Sequence, residues 1–188
     1  MEYRLKTPVN REELNRLRAG DMVYLSGEVY TARDAAHKRM TECLDRGELL
    51  PFEIKDSAIY YVGPTPEPPG RVIGSAGPTT SGRMDAYSPR LLDLGQKLMI
   101  GKGLRSREVI DAMVRNGAVY LAAMGGAGAL MSACIKSARV ICWKDLGCEA
   151  VRLLEVEDMP LTVAIDSVGG NIYESGPAAY LESLKGGK

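Results

Sequence analysis

The stretch MVYLSGEVYTARDAAHKRMTECLDRG, residues 22–47, passes from a strand pattern into a helix pattern. Residues 22–30 are mostly aliphatic or aromatic and are interrupted by Gly27, which indicates a β-strand. The part that follows carries apolar residues every four positions, the spacing of one helix face: Ala36, Met40 and Leu44. We expect residues 31–34 to form a capping box that starts this helix and Gly47 to end it. A strand that leads directly into a helix is the basic unit of an α/β fold.

Helix signals recur along the rest of the chain. Three further helix starts are predicted from capping residues: Asn10 with Glu13, Ser88 with Pro89, and Ser106. Gly20 and Gly117 are expected to end the first and the last of these helices. A final helix is predicted over residues 177–184.

Strand signals alternate with these helices. Apolar runs of strand length lie at residues 54–62, 98–100, 118–124, 138–143, 151–156 and 161–165. The proline-rich segment 63–70 cannot continue a sheet and is expected to be a stiff surface loop, a plausible seam between subdomains. Because no repeated unit is present, the pattern favours a mixed α/β layered fold, and we predict a single domain over residues 1–188.

Charge and hydropathy exclude several classes of function. The chain has 188 residues with 24 acidic and 24 basic side chains, so no overall field attracts nucleic acid or a membrane surface. Its longest apolar runs are too short for a membrane span, and the N-terminal residues lack an apolar signal-peptide core. We therefore expect a soluble, cytoplasmic protein with no nucleic-acid or membrane partner. Any anionic ligand must be met by local charge.

The four cysteines do not form a recognisable metal or cluster motif. Cys43, Cys134, Cys142 and Cys148 include no C-x-x-C pair, and His37 is the only histidine. Zinc spacing and the spacing of ferredoxin-type clusters are both missing. We expect reduced, largely buried cysteines and no cofactor or metal bound by this chain.

Residues 77–85, GPTTSGRMD, combine hydroxyl groups, glycines and an arginine between apolar elements. Thr79, Thr80 and Ser81 can donate hydroxyl groups, and Arg83 offers a planar fork that matches a carboxylate. The segment therefore resembles an anion site at a helix N-terminus. From the residues alone, an ordinary capped loop with a surface arginine explains it equally well.

Two more cations occupy informative positions. If residues 31–34 form a capping box, Arg33 lies in the first helical turn, where the helix dipole disfavours a cation. Either the neighbouring Asp34 or a bound carboxylate could compensate. Lys102 lies between two glycines at the end of a predicted strand, where its ammonium could approach a ligand or could keep a sheet edge soluble.

Two other features are interpreted as structural. The glycines at residues 125–128 follow a predicted strand but lack G-x-G-x-x-G spacing, so they predict tight packing of a strand-to-helix turn and not a dinucleotide site. His37 is interpreted as a satisfied core or surface histidine outside the active site.

Three segments taken in order carry a resemblance to a known family: TARDAAHKRM at residues 31–40, GPTTSGRMD at 77–85 and IGKG at 100–103. They resemble the β-subunit, or C-terminal domain, of class I fumarases and L-tartrate dehydratases, and the resemblance extends over most of the chain. Ser81 stands where many relatives have alanine. The family's fold implies a swivelling β/β/α domain.

The resemblance implies a two-subunit hydro-lyase. A separate α-subunit would bind a [4Fe-4S] cluster through three cysteines, and this chain would close the active site in an α2β2 assembly. Carried over by position, Arg33, Arg83 and Lys102 would bind a dicarboxylate substrate and Thr80 would help to hold it. Thr79 would exchange a proton at the carbon next to a carboxylate.

The resemblance leaves the substrate open. Reversible hydration of fumarate to L-malate is the expected reaction, and dehydration of L-tartrate to oxaloacetate is the alternative within the same chemistry. A non-catalytic module that only docks a larger partner is the alternative from a different class.

Overall fold

A computed structural model describes residues 1–185. Its helices and strands follow one another in this order: β1 (Glu2–Lys6), α1 (Arg11–Arg16), β2 (Met22–Thr31), α2 (Asp34–Asp45), β3 (Ala58–Tyr60), a first 3₁₀ helix (Ser81–Met84), α3 (Ser88–Asp93), β4 (Leu98–Gly101), α4 (Arg107–Asn116), β5 (Val119–Ala122), α5 (Gly128–Ala133), β6 (Ile135–Cys142), a second 3₁₀ helix (Lys144–Glu149), β7 (Val151–Ile165) and α6 (Ile172–Lys185).

The strands form one mixed sheet in the order β1-β2-β3-β4-β5-β7-β6. β1 to β5 pair in parallel, whereas β7 runs antiparallel to β2, β5 and β6. Because β7 pairs with both β2 and β5, the pairings of β2, β3, β4, β5 and β7 form a closed circuit. The mixed α/β class is confirmed, and the swivelling layered type stays a prediction from the resemblance.

Two apolar clusters lie on opposite faces of the strands. In β3, Ala58 and Tyr60 belong to one cluster and Ile59 to the other, as the alternation of side chains along a strand requires. The first cluster gathers strand residues with those of α1, and the second packs α2, α3 and α4 against the sheet. Burial of each Leu- or Ile-sized side chain contributes about 1.5–3 kcal/mol to folding. These clusters hold the strand ends, and the loops that leave them, in place.

Several helix predictions are confirmed at the level of single hydrogen bonds. The Asn10 side chain accepts from the Glu13 amide at 2.9 Å, and the Glu13 carboxylate accepts from the Asn10 amide at 3.3 Å. Ser106 caps α4, which ends at Gly117 in the left-handed conformation. These contacts join residues close in sequence, so the local pattern predicts them.

The predicted capping box at residues 31–34 is wrong. Thr31 is the last residue of β2, and its hydroxyl accepts from the Arg152 amide at 3.0 Å and contacts the Ala150 carbonyl at 3.4 Å. Arg33 takes the N-cap position of α2 without a side-chain cap, so it does not lie in the first helical turn. A contact with β7 therefore overrides the local capping signal. Similarly, Ser88 begins α3 and does not cap it, because its hydroxyl donates to the Met84 carbonyl at 2.9 Å.

Other differences concern the extent of elements. The strand predicted over 54–62 is only Ala58–Tyr60 long, and α6 begins at Ile172 instead of residue 177. The strands predicted at 151–156 and 161–165 are one strand, β7, in which a register shift against β2 and a positive φ of 46° at Asp158 mark a β-bulge. β1 has no counterpart among the predicted strands.

Candidate functional site

Four loops leave the carboxyl ends of neighbouring parallel strands at one edge of the sheet. Arg33 follows β2, Gly63 follows β3, Lys102 follows β4, and Gly125 follows β5. Ligand sites in parallel α/β sheets are usually built at this edge, because the loops there converge. The topology thus brings together two of the predicted site residues that are far apart in the sequence.

The segment of Thr79, Thr80 and Ser81 lies along the end of β4. The Thr79 amide donates to the Tyr61 carbonyl at 2.7 Å, and the Lys102 amide donates to the Thr79 carbonyl at 3.3 Å. The Ser81 amide then donates to the Lys102 carbonyl at 2.8 Å, and Thr80 forms an isolated parallel bridge with Lys102. Three of the predicted site residues, Thr79, Thr80 and Lys102, are therefore held next to one another by main-chain hydrogen bonds.

Glycines allow this close packing. A Cβ placed on Gly101 would lie 2.1 Å from Ser81 Oγ, so a side chain at this position would push the threonine segment away from β4. A Cβ on Gly63 would lie 2.7 Å from Arg33 Nη1 and 3.0 Å from its Cδ. The Arg33 side chain thus lies over the Gly63 main chain. Neither glycine was among the predicted site residues, although glycine next to a strand end is a signal for close approach.

The Asp34 carboxylate contacts both Arg33 and Arg83. Arg83 Nε donates to Asp34 Oδ1 at 2.7 Å, and Arg33 Nη2 lies 3.6 Å from Asp34 Oδ2. Arg33 Nη2 also lies 3.6 Å from Glu149 Oε1, a residue of the second 3₁₀ helix. Arg33 is mostly buried, whereas the Arg83 side chain is 53% exposed. The charge of Arg33 is therefore offset by its neighbour Asp34, one of the two possibilities that the sequence left open, and also by the carboxylate of Glu149.

Lys102 lies beside the turn of residues 125–128. A Cβ on Gly125 would be 3.7 Å from Lys102 Cδ and 4.0 Å from Nζ, and within residues 1–185 Nζ has no ion pair. Gly128 packs against Gly77: its carbonyl accepts from the Ala76 amide at 3.0 Å, and an added Cβ would lie 3.1 Å from the Gly77 amide. The tight packing predicted for this turn is present.

Part of the segment 77–85 faces the interior. The Ser81 hydroxyl lies 2.8 Å from the Tyr120 hydroxyl, and both groups are buried. Asp85 accepts from Arg105 Nε at 2.7 Å and from the Ser106 amide at 2.6 Å, so it anchors the loop. The groups that remain for a ligand are those of Thr79, Thr80 and Arg83.

His37 bonds to the main chain of Arg33. Its Nδ1 lies 2.9 Å from the Arg33 carbonyl, which can only accept, so neutral His37 carries its proton on Nδ1. Burial lowers the pKa of His37 to about 4. His37 is a core histidine, but only its Nδ1 is satisfied, because Nε2 has no hydrogen-bond partner among the described residues. Its place outside the active site stays a prediction.

A cleft elsewhere in the described residues is a separate feature. It measures about 540 Å³ and lies between the proline-rich loop and β6, and none of the five predicted site residues lines it. Among residues 1–185, no group of three histidine, cysteine or acidic side chains could hold a metal ion. In the same range, no helix is long and apolar enough to cross a membrane.

The chemistry available at the sheet edge is anion binding. Arg33, Arg83 and Lys102 are cations, and Arg guanidinium groups match carboxylates in a bidentate geometry. The hydroxyl-bearing residues Thr79 and Thr80 lie beside Lys102. Thr79 bonds to the main chain of Tyr61, and two residues later the main chain of Gly63 lies against Arg33. Cationic and hydroxyl-bearing side chains are thus present at this edge, which is the chemistry that an anion requires.

Comparison with known proteins relates this chain to one family. The family model of the fumarase C-terminus matches residues 1–176. The chain is 40% identical over 177 residues to fumarate hydratase 2 of Leishmania major. The alignment covers 90% of this chain and 30% of that protein. It is 41% identical over 152 residues to the aerobic class I fumarate hydratase of Escherichia coli, which covers 80% of this chain and 28% of that protein.

A relative of matching length was also found. The chain is 40% identical over 190 residues to a putative L(+)-tartrate dehydratase subunit beta of Methanocaldococcus jannaschii, which covers 98% of this chain and 97% of that protein. By contrast, the chain spans less than a third of the length of the fumarate hydratases above. The family-model match over residues 1–176 includes all three segments that carry the sequence resemblance, and the chain belongs to the family of the fumarase C-terminal domain.

Proposed function

We propose that this chain is the β-subunit of a two-subunit [4Fe-4S] hydro-lyase that interconverts fumarate and L-malate, with the cluster on a separate α-subunit. The observation that carries the proposal is the placement of Arg33, Arg83, Lys102 and Thr79 around one edge of the sheet. Membership of the fumarase C-terminal family supports the reaction class. The cluster, when bound to the α-subunit, would supply a Lewis acid that polarises the substrate's hydroxyl group.

The residues of this chain act on the substrate's carboxylates and on one proton. Arg33, Arg83 and Lys102 bind the dicarboxylate and stabilise the negative charge that develops on a carboxylate when the neighbouring carbon loses a proton. Thr79 takes that proton: the C–H bond breaks and its electron pair forms the double bond, while the C–O bond breaks and the hydroxyl group leaves as hydroxide. The proton released through Thr79 and the hydroxide together make up the water that is lost. A threonine hydroxyl is a poor base unless a neighbouring group activates it. We propose that this group belongs to the α-subunit.

The test uses the chain together with its α-subunit under anaerobic conditions. Fumarate formation from L-malate is measured for each chain alone and for the mixture. We expect turnover only in the mixture, and turnover by this chain alone would refute a shared active site.

The role of Thr79 is tested by an isosteric substitution in the assembled complex. Thr79→Val should lower kcat about 100-fold, the contribution expected from loss of one proton-transfer group. Thr41→Val is the matched control, because Thr41 is also half-buried but lies on the body of α2. Equal kcat values for the two variants would show that Thr79 does not transfer the proton.

Dehydration of L-tartrate to oxaloacetate is the second candidate reaction. It is favoured by one observation, the nearly full-length match to a protein named as a putative tartrate dehydratase β-subunit. A comparison of kcat/KM for L-malate and L-tartrate in the same complex separates the two. If substitutions of Arg33, Arg83 and Lys102 left both activities unchanged, the chain would be a docking module only.

A further inference from the structure

Buried polar atoms without partners are concentrated at the start of α2. Across residues 1–185, four buried side-chain atoms have no hydrogen-bond partner, and three of them are Arg33 Nε, Asp34 Oδ2 and His37 Nε2. An unpartnered buried polar group costs about 1–3 kcal/mol, so such a group in a folded protein calls for an explanation. Two acidic residues, Asp34 and Glu149, flank Arg33 at this place.

Asp34 lies between the two arginines of the candidate site. Its Oδ1 accepts from Arg83 Nε at 2.7 Å, while its Oδ2 lies 3.6 Å from Arg33 Nη2. The first contact is a charge-assisted hydrogen bond, and the second is too long for one but short enough for an ion pair. One carboxylate thus contacts both Arg33, its neighbour in the sequence, and Arg83, which lies 49 residues further along the chain.

Glu149 approaches Arg33 from a different part of the chain. Its Oε2 accepts from the Ala35 amide at 2.8 Å and so satisfies a free donor in the first turn of α2. Its Oε1 lies 3.6 Å from Arg33 Nη2, the same distance as Asp34 Oδ2. Arg33 is therefore held between two carboxylates by charge and by the Gly63 main chain, while its N–H groups make no hydrogen bond to either carboxylate.

We infer that Asp34 is a positioning residue that sets the spacing between Arg33 and Arg83, with Glu149 fixing the other side of Arg33. The inference rests on the proposed function and deepens it. Two guanidinium groups repel each other, and a carboxylate between them offsets that repulsion without occupying the donors of Arg33. The spacing that results selects ligands with two carboxylates over ligands with one.

Asp34→Asn is the sharpest variant, because the amide keeps the shape of the side chain. An asparagine has one oxygen and one NH₂ group, so it can accept from only one arginine and must turn its NH₂ group toward the other. The variant therefore breaks the connection between Arg33 and Arg83 in either orientation. Glu149→Gln, by the same reasoning, disturbs Arg33 and leaves the Arg83 contact in place.

The kinetic test uses the complex of this chain with its α-subunit. Asp34→Asn should raise KM for the dicarboxylate substrate about 10-fold with a smaller effect on kcat, because groups that hold carboxylates contribute to ground-state and transition-state binding alike. Succinate, with two carboxylates, should inhibit the wild-type complex more strongly than butyrate, with one. Asp34→Asn should reduce this preference, the difference between the two competitive inhibition constants. Loss of folded protein would instead lower the apparent kcat and leave KM and this preference unchanged.

Asp145→Asn is the control variant. Asp145 pairs with Arg39 of α2 at 2.8 Å from the same 3₁₀ helix as Glu149, but contacts neither Arg33 nor Arg83. KM and the inhibitor preference should stay at the wild-type values in this variant. Wild-type values in Asp34→Asn would overturn the inference.

A second measurement does not depend on turnover. In the full chain alone, the ¹⁵N spectrum of the arginine Nε–H groups reports the Arg83 contact, and its signal should shift in Asp34→Asn but not in Asp145→Asn. An unchanged Arg83 signal overturns the inference whatever the complex does. If the wild-type complex fails to convert malate, fumarate or tartrate, the proposed function fails, and the spectrum still decides whether Asp34 positions Arg83.

Discussion

At the scale of single residues, His37 shows how a buried ionisable group supports the candidate site. Its side chain is buried, it packs edge-on against Tyr61 at 5.3 Å between ring centroids, and it bonds to the Arg33 carbonyl. Desolvation is the main cause that lowers its pKa to about 4, and the Arg33 hydrogen bond acts in the opposite direction. The neutral ring is therefore part of the folded structure at neutral pH.

This lowered pKa predicts a stability change below pH 6.5. The unfolded chain takes up a proton as the pH falls through 6.5, whereas the folded chain does so only near its pKa of about 4. The folded state therefore binds fewer protons between these values and loses stability as the pH falls. From pH 7.5 to pH 5 the His37 contribution to the free energy of unfolding should fall by about 2 kcal/mol.

Urea unfolding at the two pH values checks this prediction in the wild type and in His37→Asn. The asparagine NH₂ group can replace Nδ1 as the donor to the Arg33 carbonyl but does not titrate. The variant should be less stable than the wild type at both pH values. Between pH 7.5 and pH 5 its free energy of unfolding should fall less than that of the wild type, by the amount that His37 contributes. The same pH dependence in both proteins would show that His37 is not the group responsible.

At the scale of elements, Arg105 joins the first 3₁₀ helix to the strands beneath it. Its side chain has no exposed surface, and it donates to Asp85 at 2.7 Å and to the Ser88 hydroxyl at 2.8 Å. The guanidinium group also lies over the Tyr61 and Tyr120 rings, 5.4 and 5.2 Å from their centroids. The loop that carries Thr79 and Arg83 is thus anchored at its far end by a buried ion pair.

Asp85→Asn should strongly destabilise the fold. The substitution leaves the buried Arg105 charge without its carboxylate, and loss of one partner of a buried pair costs about 3 kcal/mol or more. Asp93→Asn is the control, since Asp93 pairs with Arg115 at the surface and its loss should cost much less. Denaturant unfolding measures both variants, and equal losses would contradict the anchoring role of Arg105.

At the scale of the whole molecule, α6 contacts the apolar clusters only at its start, where Ile172 and Tyr173 pack against the second cluster. None of its residues is buried, and its apolar side chains Tyr180, Leu181 and Leu184 are all more than half exposed. The match to the family model ends at residue 176, near the start of this helix. Asp166, just before it, accepts three main-chain amides, from Ala19, Val168 and Gly170.

Removal of most of α6 should therefore leave the domain stable. A chain that ends at Ser175 should unfold within about 0.5 kcal/mol of the full chain, since no buried side chain is removed. A chain that ends at Ile165 is the comparison and should be clearly less stable, because it lacks the Asp166 contacts. Denaturant unfolding of the three chains tests this, and a large loss in the first truncation would show that α6 packs on the domain.

Local signals in the sequence predicted much of this structure. The capping box of Asn10, the cap of α4 at Ser106 and the left-handed Gly117 are determined within one or two helical turns, so neighbouring residues suffice to predict them. The mixed α/β class followed from the alternation of strand and helix patterns. The three quoted segments likewise predicted the family, and the match to the family model confirms it.

Contacts between distant segments were decided only by the tertiary structure. Thr31 contacts β7 instead of capping α2, and β7 itself runs through a bulge where two separate strands were predicted. The link from Arg33 through Asp34 to Arg83, and the approach of Glu149, join segments that no local pattern relates. Hydrogen bonds and ion pairs of this kind depend on the packing of distant strands and helices, which brings their partners together, and for that reason the arrangement of the site was beyond what the sequence alone could predict.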